Sequence, residues 1–126
     1  MGLKRTSTLP AGRESERLAQ RFLERKGYRI LATNCRNRGG ELDIVAEDGP
    51  LLVFVEVRSL RSSERLLPEE TVTLPKQLRL SRAAMAYIQR HGLEERPARF
   101  DVVSVESVAG KATCRHIEDA FELVGF

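Results

Sequence analysis

Two apolar runs of strand type, each interrupted by acids, constrain this chain more than any other feature: Glu41-Leu42-Asp43-Ile44-Val45-Ala46 and Val53-Phe54-Val55-Glu56-Val57-Arg58. Their β-branched and aromatic residues favour pleated, half-buried backbone. Asp48-Gly49 followed by Pro50 allows only a tight connection, which predicts an antiparallel hairpin. A core strand has no packing reason to carry a carboxylate in mid-run. Burying one is costly unless it is paired, protonated or bound to a cation. Alternation by two puts Glu41, Asp43 and Val45 on one face of the first run, with Leu42, Ile44 and Ala46 on the other. In the second run Phe54, Glu56 and Arg58 share a face, opposite Val53, Val55 and Val57. Aligned faces bring Asp43 and Glu56 together around one hard cation, and oxygen-only donors suit Mg²⁺ or Mn²⁺. The competing reading is structural: Asp43 at an edge and Glu56 in an ion pair with Arg58 or another base.

The hairpin sits within an alternating pattern. Leu18, Ala19, Phe22 and Leu23 recur at helical spacing, and Gly27 suits the end of a first helix over about residues 14–26. Tyr28 to Thr33 reads as a strand, followed by a turn at Asn37-Arg38-Gly39-Gly40. After the hairpin, Ser59 to Thr73 lacks periodicity and reads as a mobile loop over the acids. A second helix opens near Pro75 and runs to His91-Gly92. Phe100 to Glu106 forms a further strand, with a short segment near Cys114 to Ile117 and an apolar ending that docks on the sheet. The order α-β-β-β-α-β predicts one α/β domain over residues 12–126, with a mixed central sheet flanked by helices. Residues 1–11, poor in apolar side chains, are expected to form a disordered arm.

Charge is distributed unevenly. Residues 1–38 carry ten lysines and arginines against three glutamates, whereas the remainder carries eleven basic and fifteen acidic side chains. A basic third beside an acidic centre suits a polyanion held next to a metal, although a solvated helix face and basic tail give the same count. No run approaches the length of a membrane helix, and the polar N-terminus lacks the apolar core of a signal peptide. Cys35 and Cys114 form no CxxC pair, so reduced thiols and a cytoplasmic location are expected. His91 and His116 stand apart from any cysteine at zinc-ligand spacing, and no glycine-rich nucleotide loop or serine triad is visible.

The arrangement Asp43…Glu56-Val57-Arg58, with the acids thirteen positions apart, resembles the D-(x)n-[DE]-x-K signature of PD-(D/E)xK nucleases. A fuller set of residues carries a closer likeness: Gly12…Glu16, Gly27-Tyr28, Gly40 to Ala46, Val53 to Arg58, Lys76-Gln77, Arg99 to Val103, and His116 to Phe121. In these residues the chain is similar to the bacterial YraN-like (UPF0102) family, whose fold resembles that of archaeal Holliday-junction resolvases.

The resemblance implies a restriction-endonuclease-like core and a metal-dependent deoxyribonuclease acting on structured or branched DNA, in recombination or repair. The alternative is a catalytically weak nucleic-acid-binding module that keeps the fold. It gives Asp43 and Glu56 the role of Mg²⁺ or Mn²⁺ ligands and Glu16 that of a completing acid. Arg58 falls at the motif lysine position, and Gln77 matches a polar residue turned toward the site. Arginine cannot act as a base near neutrality, but it can clamp phosphate bidentately. Arg36, Arg38, Lys76 and Arg79 are candidate nucleic-acid contacts, since phosphate contacts position a strand without reading it. DNA is the expected partner, with no membrane association. A homodimer is one option, because paired cuts call for two symmetric sites.

Overall fold

Seven elements follow one another in the computed structural model: α1 (Gly12–Arg25), β1 (Arg29–Asn37), β2 (Gly40–Asp48), β3 (Leu51–Arg61), α2 (Leu74–Arg90), β4 (Ala98–Val108) and β5 (Lys111–Phe121). The structure describes residues 12–61 and 72–123. The arm expected over residues 1–11 therefore lies outside the described residues, as does most of the loop expected over the acids. That loop also begins later than its sequence suggests, because Ser59 and Leu60 extend β3 as far as Arg61. Both β1 and β5 are likewise longer than the apolar pattern alone indicates. Their added residues are partly exposed edge-strand positions, where burial leaves no alternation to read.

The sheet has the order β1-β2-β3-β4-β5. Only β3 and β4 pair in parallel, and α2 supplies the crossover that parallel neighbours need. The remaining pairs are antiparallel hairpins. The result is the α-β-β-β-α-β core with one added strand. The helices cover opposite faces. Leu80, Ala83, Ala84, Tyr87 and Ile88 of α2 pack on Val45, Phe54, Phe100 and Val102, while Ala19 and Leu23 of α1 pack on Ile44, Val53, Val55 and Val103. Phe121 stacks on Phe100, centroids 4.6 Å apart, and so docks the end of β5. No helix of the described residues is long and apolar enough to cross a membrane.

In β3 the expected alternation holds, with Phe54 toward α2 and Val53, Val55 and Val57 toward α1. In β2 it breaks. Val45 faces α2 and Ile44 and Ala46 face α1 as alternation requires, but Leu42 joins the α2 layer rather than that of Ile44. The registered pairing of β2 with β3 ends at Ile44 and Val55. Beyond it the Val57 amide donates to Asp43 Oδ2 at 2.9 Å. A carboxylate replaces a backbone carbonyl in the ladder, the strands part, and the faces of β2 shift by one residue.

The β4–β5 side of the sheet is tied by another acid. Asp101 is fully buried and accepts from Arg99 Nε at 2.8 Å, Arg99 Nη2 at 3.0 Å and the Asp119 amide at 3.0 Å. His116 Nε2 lies 2.7 Å from its second oxygen, and His116 Nδ1 lies 2.8 Å from Lys26 Nζ. The lysine has only donors, so Nδ1 accepts and Nε2–H donates to Asp101. Burial works against the Asp101 charge, but these donors outweigh it and hold its pKa below the usual value. One carboxylate thereby fastens β4 and β5 to the end of α1.

Candidate active site

Four elements deliver the site. Where β2 and β3 part, Asp43 and Glu56 face a common cavity of about 280 Å³, lined also by Ser15, Glu16, Arg58 and Lys76. A second cavity of about 230 Å³ meets the same Asp43, Glu56 and Lys76 from the side of Glu41 and Arg79. The N-terminal part of α1 brings Ser15 and Glu16, and the Ser15 hydroxyl is hydrogen-bonded to that of Ser59 on β3. The first turn of α2 brings Lys76. Thr73 caps that helix by accepting from the Lys76 amide, and Pro75 stands where its missing N–H costs nothing.

Glu56 is 5% exposed, and Lys76 Nζ lies 2.7 Å from its Oε2. Burial raises the Glu56 pKa, the neighbouring Asp43 raises it further, and Lys76 opposes both; it stands at about 7. The carboxyl therefore takes up and releases a proton near neutrality. Glu16 is also raised, first by burial and then by the Asp43 charge, against a hydrogen bond with Asn34. Its Oε1 is buried and has no partner among the described residues. An orphaned carboxylate oxygen beside two further acids is chemically matched to a hard cation or its water shell.

Among the described residues no three His, Cys, Asp or Glu side chains converge as a ready-made ligand set. Asp43 and Glu56 form a two-carboxylate pair with Glu16 beyond it. A donor set this small fits Mg²⁺ or Mn²⁺, since Mg²⁺ keeps several waters and takes one or two carboxylates.

The other sequence candidates divide between this site and a different place. Arg58 is half-buried and lines the cavity, yet the described ion pair on Glu56 comes from Lys76. Gln77, expected to point at the site, instead donates its amide to the Val72 carbonyl at 3.1 Å and lines neither cavity. The polar side chain that α2 offers the acids is the one before it. Arg79 borders the second cavity. Arg36 pairs with Glu41 at 3.3 Å and, with Arg38, lines a separate cleft. Sequence reasoning missed Ser15 and Ser59, which no spacing marks. It also ranked Lys76 as a mere phosphate contact, although its place in the first turn of a capped helix was a usable signal.

Comparison with known proteins supports the likeness seen in the motifs. The profile of the family described as "Uncharacterised protein family UPF0102" matches residues 15–105. A UPF0102 protein of Symbiobacterium thermophilum is 49% identical over 111 residues, spanning 87% of this chain and 94% of the relative. One from Syntrophus aciditrophicus is 44% identical over 123 residues, spanning 98% and 97%. Among solved structures, SfsA of Pyrococcus furiosus in complex with Ca²⁺ matches at a TM-score of 0.37 and 15% identity. That match covers 85% of this chain and 62% of SfsA, less than two thirds of its length. By its profile match and its near full-length relatives, the chain belongs to the UPF0102 family.

Proposed function

We propose that this protein is a metal-dependent deoxyribonuclease that hydrolyses phosphodiester bonds in structured or branched DNA. The observation that carries the reading is the buried Glu56 beside Asp43, with its pKa at about 7 and an ammonium group at 2.7 Å. Two carboxylates held this close repel one another, and a cation bound between them relieves that repulsion as the proton leaves.

Asp43 and Glu56 would hold Mg²⁺ or Mn²⁺, with Glu16 joining directly or through water. When bound, such an ion polarises the phosphoryl oxygen and lowers the pKa of a water. Arg58 approaches the same cavity with a planar fork that matches two phosphate oxygens and offsets charge developing on them. Lys76 is a compact positive charge at the acids, suited to orient Glu56 and to meet a phosphate oxygen. The N-terminus of α2 adds its partial positive charge to the same place. Both Cys35 and Cys114 are free thiols, in keeping with the reducing cytoplasm where a DNA enzyme would work.

Labelled linear, flapped and four-way DNA incubated with Mn²⁺ tests the reading, with Glu56→Gln and Asp43→Asn prepared in parallel. Wild-type cleavage that both variants lose is the expected result. Cleavage surviving in the variants would betray a contaminating nuclease and remove the reading. Binding without cleavage would leave a nucleic-acid-binding module.

A further inference from the structure

Arg36 and Arg38, two of the candidate nucleic-acid contacts, line neither cavity at the acids. They line a cleft of about 710 Å³ together with Cys35, Asn37, Arg90 and His91, between the β1–β2 hairpin and the C-terminal half of α2. None of its lining residues is acidic, and three are arginines. The nearest carboxylate partner is Glu41, which takes one Arg36 nitrogen from the side of the acid site. Arg38 and Arg90 are exposed, with no ion pair to a described carboxylate.

The cleft wall is fixed by backbone contact. Asn37 Nδ2 donates to the Ala83 carbonyl at 3.0 Å, while its Oδ1 accepts from the Gly39 amide at 2.7 Å. A Cβ on Gly39 would stand 2.5 Å from the Arg82 carbonyl oxygen, so only glycine lets the turn rest on α2. On one side of this turn α2 presents Lys76 and Arg79 to the acids, and on the other it presents Arg90 and His91 to the cleft. The negative end of the α2 dipole lies near the cleft and disfavours an anion. Its terminal carbonyls are occupied, however, by the amides of His91, Gly92 and Leu93, and three guanidinium groups outweigh half a charge.

We propose that this cleft holds the sugar-phosphate backbone of a nucleic-acid strand at a distance from the point of cleavage, as a second and non-catalytic site. The proposal rests on the nuclease reading for its occupant. Fourteen residues of helix separate Lys76 from Arg90, about 21 Å at 1.5 Å per residue. That span corresponds to about six phosphates along one strand of a B-form duplex. Guanidinium groups match phosphate oxygens in pairs without reading sequence, which suits a holding site.

Cys35 in the cleft supplies a reporter, with Cys114 on the opposite face of the sheet as an internal control. The full chain is labelled with N-ethylmaleimide in EDTA, with and without duplex DNA at low salt, and each cysteine peptide is quantified by mass spectrometry. DNA should slow labelling of Cys35 at least fivefold and leave Cys114 unchanged. Arg38→Glu/Arg90→Glu should abolish that protection, weaken DNA binding at least tenfold, and reduce the slope of log K against log salt by about two. The milder Arg38→Ala/Arg90→Ala guards against a folding defect, and circular dichroism checks both. Unchanged binding and salt slope in a folded variant overturn the cleft while leaving cleavage standing. Protection of Cys35 by DNA that wild type never cleaves overturns the hydrolytic reading and leaves the cleft. No protection of Cys35 by DNA that does bind overturns the proposal outright.

Discussion

Lys76 Nζ rests 2.7 Å from Glu56 Oε2, so the ammonium group of this site arrives on a helix, while the strand position two residues past the glutamate carries an arginine. The two cations are not equivalent. Arg58 spreads its charge over a fork, and Lys76 concentrates its charge at one point.

Lys76→Ala should therefore slow cleavage by about 100-fold, the order seen when a single charge-stabilising donor is removed from an active site. Because Lys76 opposes the forces that raise the Glu56 pKa, its loss should also move the acidic limb of the rate profile to higher pH. Lys76→Arg should recover part of the rate. A pH–rate profile of the three proteins decides the matter, and an unaltered limb in Lys76→Ala would exclude the coupling.

Arg58→Lys should cleave at least as well as wild type, since lysine supplies the same charge in the same strand position. Arg58→Ala should lose about 10- to 100-fold if the guanidinium meets the phosphate. Single-turnover rates on one DNA substrate compare them. Indifference to alanine would remove Arg58 from the mechanism.

Glu56 makes both metal binding and stability depend on pH, in opposite directions. Its folded pKa of about 7 lies above the ordinary 4.5, so between those values the folded chain holds the extra proton. Stability from this group is full below about 4.5 and declines as pH rises through about 7. Mn²⁺ affinity should instead increase over that interval, with a proton released on binding below pH 7, visible by calorimetry in buffers of differing ionisation enthalpy. Glu56→Gln should bind no Mn²⁺. Its melting temperature relative to wild type should be more favourable at pH 8 than at pH 5, because only at pH 8 does it spare the fold a buried charge.

Asp101 follows the reverse sign. Its folded pKa lies below the ordinary 3.8, so the unfolded chain takes up the proton first. The stability it supplies is present above 3.8 and is lost as pH falls through the lower folded value. Asp101→Asn, which leaves Arg99 and His116 without their charged partner, should cost about 3–5 kcal/mol in urea unfolding at pH 7. The cost should shrink as pH falls below the folded value. A difference under 1 kcal/mol at pH 7 would mean the network is dispensable.

Gly39→Ala should destabilise by about 1–3 kcal/mol, the range for forcing extra volume into a packed contact. The obstructing atom is a backbone carbonyl in mid-helix, which cannot swing aside. Denaturant titration against Gly12→Ala, whose Cβ would meet nothing within 4 Å and whose φ, like that of Gly39, is not positive, isolates the steric cost.

Much of this architecture was legible in the chain. The hairpin of Glu41 to Arg58 and the helix opening at Pro75 follow from alternation and turn chemistry that the structure repeats. What sequence could not supply was the break at Asp43. Alternation assumes an unbroken ladder, and a side chain that takes over a backbone bond shifts the count by one. Gln77 and Lys76 were exchanged for a related reason: adjacent helical residues point about 100° apart, and helical phase depends on where the cap falls. Arg36 and Arg38 are near Asp43 in sequence, but the length of β1 and the packing of its turn on α2 carry them to another surface.

The contact of Gly39 with the Arg82 carbonyl has a metrical consequence. Since the hairpin rests on the helix backbone with no side chain between, the backbone interval from Lys76 at the acids to Arg90 at the cleft is set by the rise of α2, and rotamers adjust it only at its ends. A strand seated at both ends would be measured against a rod of fixed length. Discrimination among nucleic acids would then come from whether their backbone spans that interval, so that a bend, a flap or a branch is recognised as a distance.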